Sequence, residues 1–380
     1  MEKVSFDKII LKPDDIDLSF SPLRKQVSEE TYVLGAFNPG MSRLPNGNLI
    51  LMVRVAEALR NPLFKGKIHS IRWDIEKGFV LDAYNLDDVD TSDPRVITIK
   101  KYLPTSVCAL TSISWILPIE LSEDGDKIVK IHYDKIISPT KTYQEYGIED
   151  ARVSLIDDTY YMTTCSVSSE RQSSTLYSSK DGLNYALEGI ILDHQNKDML
   201  LFEEKINDKY FALTRPLGSG YYTTPPDSNF NPGPSINLAQ SPDLLHWKPL
   251  DEPFIRSLKN SPLSLKLGGG AQPILTQRGW LVLFHGVEKK GEIGIYRTYW
   301  AILDKKTPQN IIHIEMEKPL LEADPNLTND IKDQIYIKNV VFTTGIVDSG
   351  NKFVVASGEL DLCCRITHIP KSVFSILYQI

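Results

Sequence analysis

Hydrophobic and polar positions along this 380-residue chain change over short distances. Long runs with a 3.6-residue period are almost absent. Short runs rich in Val, Ile, Tyr, Phe and Thr recur instead between clusters of Gly, Pro, Asn and Asp, a pattern that predicts β-strands joined by tight turns. Five such runs stand out: Leu49 to Val55, Tyr160 to Cys165, Tyr210 to Thr214, Trp280 to His285 and Phe353 to Ala356. They follow polar turns such as Pro45-Asn46-Gly47, Asp157-Asp158, Asn207-Asp208 and Ser349-Gly350-Asn351.

The repeat extends beyond one strand. A second strand and a polar turn are expected at Ile68 to Asp74, at Ser174 to Tyr185 through Ser179-Lys180-Asp181, and at Ser235 to Trp247 through Ser241-Pro242-Asp243. Successive units start 111, 50, 70 and 73 residues apart, close to the roughly 40–50 residues of a propeller blade once loops are inserted. The chain therefore reads as an all-β protein and as a five-bladed β-propeller. Residues 1–380 form one domain on this reading, with 1–30 an N-terminal extension packing on the propeller or closing it. A β-sandwich, or a pair of them, accommodates the same strands. In a propeller the innermost strand ends and the loops between blades converge on a central cavity, so polar residues there become site candidates.

Composition narrows the function classes. With 42% hydrophobic and 24% charged residues the chain is neither disordered nor collagen-like. Forty-two basic against 49 acidic residues leave a net charge of −7, a poor match to a nucleic-acid backbone or an anionic membrane surface. The N-terminus lacks the apolar core of a signal peptide, and no apolar run approaches the roughly 20 residues of a membrane helix. A soluble, cytoplasmic protein is expected, with a homo-oligomer left open. Cys108, Cys165, Cys363 and Cys364 show no metal-ligand spacing and are expected as reduced, buried thiols, with no metal site.

The densest polar constellation is Tyr146-Gly147-Ile148-Glu149-Asp150-Ala151-Arg152-Val153. Adjacent carboxylates and an arginine set between apolar residues are costly to bury unless paired or used. In a regular strand Glu149 and Asp150 face opposite sides while Asp150 and Arg152 share one, so Arg152 could hold Asp150 ionised or organise a ligand hydroxyl beside it. A structural ion pair fits equally well. Asn38 sits in the turn Gly35-Ala36-Phe37-Asn38-Pro39-Gly40, and Arg54 follows on the next strand. Gly268-Gly269-Gly270 lacks the context of a phosphate loop and reads as close backbone packing. His285 ends an apolar strand, where a hydrogen-bonded structural role is the ordinary one. Neither Ser-His-Asp nor Cys-His catalysis finds support.

Taken in order, several segments resemble glycoside hydrolase family 130, the β-mannoside phosphorylases and β-1,2-mannosidases. They are Phe37-Asn38-Pro39-Gly40, Arg54, Gly147 to Arg152, Phe202-Glu203-Glu204-Lys205-Ile206, Ser241 to Trp247, Gly279-Trp280 through Val287, and Asn339 to Phe342. The resemblance runs from about residue 35 to 365 and implies a five-bladed propeller. It implies Asp150 as the proton donor, acting on the glycosidic oxygen through a sugar hydroxyl in at least some members. Asn38, Arg54, Glu149 and Arg152 are implied around the cleaved sugar, together with His285 and Asp361. Inversion needs an acid on one side of the bond and a nucleophile on the other, and inorganic phosphate can be that nucleophile without a protein base. Arg171, Lys205 and Arg215 fall in the region of the motif order where a phosphate would be held.

The sequence also departs from the family pattern. Glu-Asp-Pro-Arg becomes Glu149-Asp150-Ala151-Arg152, Phe-Pro-Glu-Lys becomes Phe202-Glu203-Glu204-Lys205, and Leu-His-Arg-Pro becomes Leu213-Thr214-Arg215-Pro216. An added carboxylate and a lost His near an anion site would weaken phosphate binding, and Glu203 or Glu204 could then activate water instead. The late Gly-Ala-Ala-Asp pattern is Gly358-Glu359-Leu360-Asp361. The expectation is inverting phosphorolysis of β-mannosides, most simply β-1,2-linked, with phosphate as co-substrate, no cofactor and a mannose-containing oligosaccharide as partner. Hydrolysis by a β-1,2-mannosidase is the alternative, and a non-catalytic sugar-binding propeller a further one.

Overall fold

A computed structural model describes residues 4–377 apart from 104–106, 193, 219, 260, 262, 264–265 and 292, with residues 375–377 as backbone alone. Strands dominate, as the short apolar runs predict. The chain begins with β1 (Phe6–Leu11). Next come β2 (Thr31–Arg43) and β3 (Leu49–Leu59), followed by an insertion of β4 (Leu63–Phe64), β5 (Lys67–Asp74), β6 (Gly78–Asn85), β7 (Val89–Asp90), β8 (Val96–Ile99) and β9 (Cys108–Leu110). The insertion makes two three-stranded sheets, and β10 (Ser112–Leu121) and β11 (Ile128–Ile131) then complete the order β2-β3-β10-β11.

Three antiparallel meanders follow: β12 (Gly147–Ile156), β13 (Thr159–Val167), β14 (Gln172–Ser179) and β15 (Ala186–Ile190); β16 (Asn196–Leu201), β17 (Tyr210–Pro216), β18 (Asn237–Ser241) and β19 (Lys248–Pro249); then β20 (Lys266–Gly269) and β21 (Ile274–Leu275), both paired with β22 (Trp280–Glu288), which continues to β23 (Ile295–Leu303) and β24 (Ile311–Glu315). The last meander, β25 (Val341–Ser349), β26 (Lys352–Glu359) and β27 (Cys363–Pro370), takes β1 as its fourth strand. Asp7 of β1 clamps Arg365 of β27 through two hydrogen bonds of 2.7 and 2.6 Å.

The five apolar runs of the sequence are β3, β13, β17, β22 and β26, the second strand of each meander. The long first interval holds the insertion. Ile68 to Asp74, expected to pair with the first run, is β5 inside that insertion, and β10 takes the edge of β3 instead. The burial patterns explain the exchange: β10 is buried over nearly its whole length, whereas β5 ends in half-exposed Arg72, Trp73 and Asp74. Hairpins close as the turn residues require, with Asp157, Asp158, Asn207 and Asp208 all at φ between 48° and 63°. At the Ser-x-Asp turns, Asp181 accepts from the Leu183 and Asn184 amides and Asp243 from those of Leu245 and His246.

Apolar residues pack between neighbouring sheets. Leu49, Leu51, Val53 and Val55 meet Trp115, Leu117, Val354 and Ile366 on one side of the molecule, while Phe202, Leu213, Trp280 and Phe284 form a second core. Ser21, in the N-terminal extension, donates to the buried Glu57 carboxylate (2.7 Å). Cys165, Cys363 and Cys364 are buried free thiols, but Cys108 is exposed, because β9 is the edge strand of a small inserted sheet. Among the described residues no helix is long and apolar enough to cross a membrane.

The first strands of the meanders carry the feature that builds the site. β2 packs beside β25 and β12, and β16 beside β12 and β20. Four of them lose register: between Phe37 and Gly40 in β2, which also slips between Val33 and Gly35; between Glu149 and Arg152 in β12; between Lys197 and Leu200 in β16; and between Thr343 and Gly345 in β25. At three of these bulges the displaced residue is Asn38, Asp150 or Asp198, with φ of 48°, 53° and 55°. Left-handed backbone costs an ordinary L-residue about 1–2 kcal/mol and is borne best by Asn and Asp, so the polar identity and the bulge belong together.

Candidate active site

A cavity of about 360 Å³ opens where these bulges converge. Asn38, Arg54, Glu149, Asp150, Lys197, Asp198, Arg215, Lys266 and Asp361 line it, with Phe37, Tyr296, Tyr336 and Phe342 as aromatic walls. Asn38 Nδ2 donates to Asp150 Oδ1 (2.9 Å). Arg54 donates to the same oxygen (3.0 Å), to Glu149 Oε1 (2.8 Å) and to Ser114 Oγ (3.0 Å), with its guanidinium over the Phe37 ring. Lys197 Nζ donates to Glu149 Oε2 (3.1 Å).

The bulge corrects the alternation expected of a regular strand. Glu149 and Asp150 both face the cavity and share Arg54, because the positive φ at Asp150 turns a side chain that the pleat would have sent to the other face. Arg152 bonds the Asp150 backbone carbonyl (3.0 Å) rather than its carboxylate, and does not line the cavity. It is buried and ties β12 to its neighbours, donating to Asp198 Oδ1 (3.1 Å), Gly270 O (3.0 Å) and Gly269 O (3.2 Å). Gly268 to Gly270 serve close packing, as expected: a Cβ on Gly268 would stand 2.3 Å from both Asp198 Oδ2 and the His285 ring.

Charge is the second organising feature. Burial alone would raise the Asp150 pKa, but Arg54, Lys197, Arg152 and the Asn38 hydrogen bond outweigh it and hold the carboxyl well below the usual carboxylate range. Asp361, at φ 49° in the turn between β26 and β27, goes the other way. Burial pushes it up to about 6, with Arg54 opposing and the neighbouring Asp150 adding to the rise. Asp198 stays ionised between Arg215, 3.1 Å away, and Arg152, which together overcome its burial. Lys266, its ammonium over the Tyr296 ring, is pushed down to about 8 by burial and by Arg215 and Lys197. Lys197, Arg215 and Lys266 thus form one cationic wall, with Glu149 bonded to Lys197 and Asp198 paired with Arg215.

His285 lies behind this wall. Arg215 Nη1 donates to its Nε2 (3.2 Å), which places the imidazole proton on Nδ1, and burial lowers its pKa to about 3. It braces Arg215 as a neutral ring and does not line the cavity, unlike the sugar contact expected of it.

Four residues expected on the nucleophile side are not brought to the cavity. Glu203 and Glu204 line a separate hollow with Arg43, Gln272 and Asp348, because they follow the end of β16 furthest from its bulge. Lys205 sits over the Tyr210 ring, and Arg171 lies in the β13–β14 connection, where Gln172 rather than Arg171 reaches the cavity. Lys197, Asp198, Lys266, Arg95, Tyr296 and Tyr336 line the cavity although the sequence assigned them no role. Asp198 stands at the bulge of β16 as Asn38 and Asp150 do in β2 and β12, a likeness that only the strand register reveals.

The chain resembles known proteins in sequence and in fold. The glycoside hydrolase family 130 model, described as β-1,4-mannooligosaccharide phosphorylase, matches residues 109–379. The chain belongs to family 130. It is 32% identical over 348 residues, 89% of each chain, to a β-1,2-mannobiose phosphorylase of Listeria innocua. A 1,2-β-oligomannan phosphorylase of Thermoanaerobacter is 31% identical over 63% of this chain and 74% of its own. A solved family 130 structure, the Listeria innocua β-1,2-mannobiose phosphorylase in complex with β-1,2-mannobiose, superposes with a TM-score of 0.78. It is 30% identical, over 97% of this chain and 96% of that one.

Proposed function

We propose that this protein is an inverting phosphorylase of β-mannosides, most simply β-1,2-linked, that releases mannose 1-phosphate from a mannose-containing oligosaccharide with phosphate as co-substrate. The observation that carries the reading is the cluster of cations, Lys197, Arg215 and Lys266, lining the same cavity as Asp150. An anion belongs there: Lys266 is crowded by other cations, and a phosphate would relieve that crowding. The named activities of the 30–32% identical relatives support the same reading.

The cleaved mannose lies between Asp150 and this wall, with phosphate attacking its anomeric carbon from the wall side as Asp150 protonates the departing oxygen, directly or through a sugar hydroxyl. Before phosphate binds, Asp150 is ionised, since Arg54, Lys197 and Arg152 outweigh its burial. A phosphate dianion against Lys197 and Arg215 offsets that positive field and lets Asp150 take up the proton it delivers. Asn38 and Arg54 fix the Asp150 rotamer through Oδ1. The hydrolytic alternative loses its candidate base, because Glu203 and Glu204 open into another hollow.

In the same reading the five meanders are the blades of a five-bladed propeller in one domain. β2, β12, β16, β20 and β25 run around its axis, and β1 closes the ring as the outer strand of the last blade. A cytoplasmic location completes the proposal.

The test is incubation with β-1,2-mannobiose, and with β-1,4-mannobiose in parallel, with and without phosphate. Mannose 1-phosphate appearing only with phosphate is expected. Free mannose alone in both conditions would overturn phosphorolysis in favour of hydrolysis, and no product with either disaccharide would overturn the substrate class.

A further inference from the structure

The insertion between β3 and β10 interrupts the first meander and contributes nothing to its ladder, yet it reaches the cavity. Arg95, Val96 and Leu110, from its β7–β9 sheet and the loop before β8, stand in the cavity wall. Arg95 is held firmly: Asp93 accepts from its Nε (3.0 Å) and Nη2 (2.7 Å) in a two-point clamp, and the Arg95 carbonyl accepts from Thr111 N (3.1 Å). The clamp leaves Nη1 without a hydrogen-bond partner among the described residues. A pre-set guanidinium with a free amino edge is a hydroxyl-binding group whose ordering entropy has already been spent.

Depth assigns it a ligand. The acid lies at the floor, with the Asp150 side chain 8% exposed, whereas the Arg95 side chain is 39% exposed and marks the opening. A disaccharide cleaved at Asp150 has one sugar at the floor beside the cationic wall, so its other sugar must extend toward the mouth. We propose that Arg95, clamped by Asp93, binds the leaving mannose through its hydroxyls, making the insertion the acceptor-side wall that this enzyme adds to its blades. This rests on the proposed phosphorylase reading and assigns the half of the site which that reading leaves open.

The experiment is calorimetric titration of the whole protein and of Arg95→Ala, Arg95→Lys and Asp93→Asn with β-1,2-mannobiose, mannose 1-phosphate and inorganic phosphate, with turnover measured alongside. Arg95→Ala is expected to weaken mannobiose binding about tenfold or more, the scale of a charge-assisted hydrogen bond. Mannose 1-phosphate and phosphate should bind within about twofold of the parent. Arg95→Lys, which keeps the charge but loses the clamp, should fall between, and Asp93→Asn should follow it. Unchanged mannobiose binding in Arg95→Ala overturns the assignment, and so does an equal loss of phosphate binding, which would make Arg95 part of the anion site. A parent protein that binds no β-mannoside overturns it too. A parent that binds mannobiose but does not cleave it with phosphate defeats the phosphorylase reading, while the effect of Arg95→Ala on mannobiose binding still decides the acceptor assignment.

Discussion

Asn38 and Asp150 sit on different strands, 112 residues apart in sequence, yet share one geometry: each occupies a bulge with φ near 50°, and the amide of one donates to the carboxylate of the other at 2.9 Å. Two proposed consequences can be separated by choice of substitution. Asp150→Asn keeps a residue that tolerates left-handed backbone and removes only the ionisable group. It should fold, but less stably than the parent at pH 7 because it leaves Arg54 without the ionised partner it holds at 3.0 Å, and it should lose about 10²–10⁴ in kcat, the usual contribution of a general acid. Asp150→Ala adds backbone strain and should be about 1 kcal/mol less stable than Asp150→Asn. Equal kcat for parent and Asp150→Asn in a phosphorolysis assay would remove Asp150 from the acid role.

Lys266 makes the anion side of the cavity testable by pH. Burial and the nearby Arg215 and Lys197 depress its pKa to about 8, so before phosphate binds it is protonated below that pH and neutral above it. A bound phosphate favours the protonated form, so binding should weaken as pH rises. The KM for phosphate is expected to climb from about pH 8 toward a tenfold rise per unit, over a range where phosphate itself stays a dianion. Lys266→Met should show a higher KM at pH 7 and lack the climb. Initial rates against phosphate at pH 7, 8, 9 and 9.5 check this, and an identical pH profile in the variant would contradict it.

What the sequence revealed and what it withheld follow from the range of the signals. The second strand of every meander was legible because each is an apolar run behind a turn whose residues, such as Asp157-Asp158 and Asn207-Asp208, act locally. Asn38, Arg54, Glu149, Asp150, Arg215 and Asp361 were legible from the order of motifs, and the structure brings all six to one cavity. The partner of Asp150 was not. A period-2 reading pairs it with Arg152, whereas the bulge between Glu149 and Arg152 hands it to Arg54, and no composition rule announces a bulge made by Asp rather than Gly. Lys266 and Arg95 escaped for a different reason: each is an ordinary basic residue locally, and only packing across meanders brings it to the cavity.

Asp361 should reveal itself in stability. Its pKa is raised to about 6 from an ordinary value near 3.8, so between about pH 4 and pH 6 the folded protein holds a proton that the unfolded chain has released. The folded form is therefore favoured at the acid end of that window and loses this contribution as pH rises through 6. Asp361→Asn, which cannot ionise, should be more stable than the parent at pH 7, by about 1–2 kcal/mol once partial solvent access is allowed for. The gain should vanish near pH 4. Urea denaturation of both proteins at pH 4 and pH 7 measures the difference, and a variant less stable than the parent at pH 7 would show that the ionised carboxylate has a partner that stabilises it.

Glu203 and Glu204 give the sharpest test between phosphate and water as the attacking group. Burial and the adjacent Glu204 push Glu203 up to about 8, a value suited to a general base in the wrong place, since both residues line a hollow apart from Asp150 and the cationic wall. Glu203→Gln and Glu204→Gln, alone and together, should leave kcat/KM for mannobiose phosphorolysis within about twofold of the parent. Each should also relieve the repulsion between the neighbouring carboxyls and leave stability at pH 8–9 unchanged or slightly higher. The decisive measurement is release of free mannose without phosphate. If the parent shows such release and either substitution abolishes it, one of these carboxylates reaches the substrate in solution, and the cationic wall is not where the nucleophile is chosen.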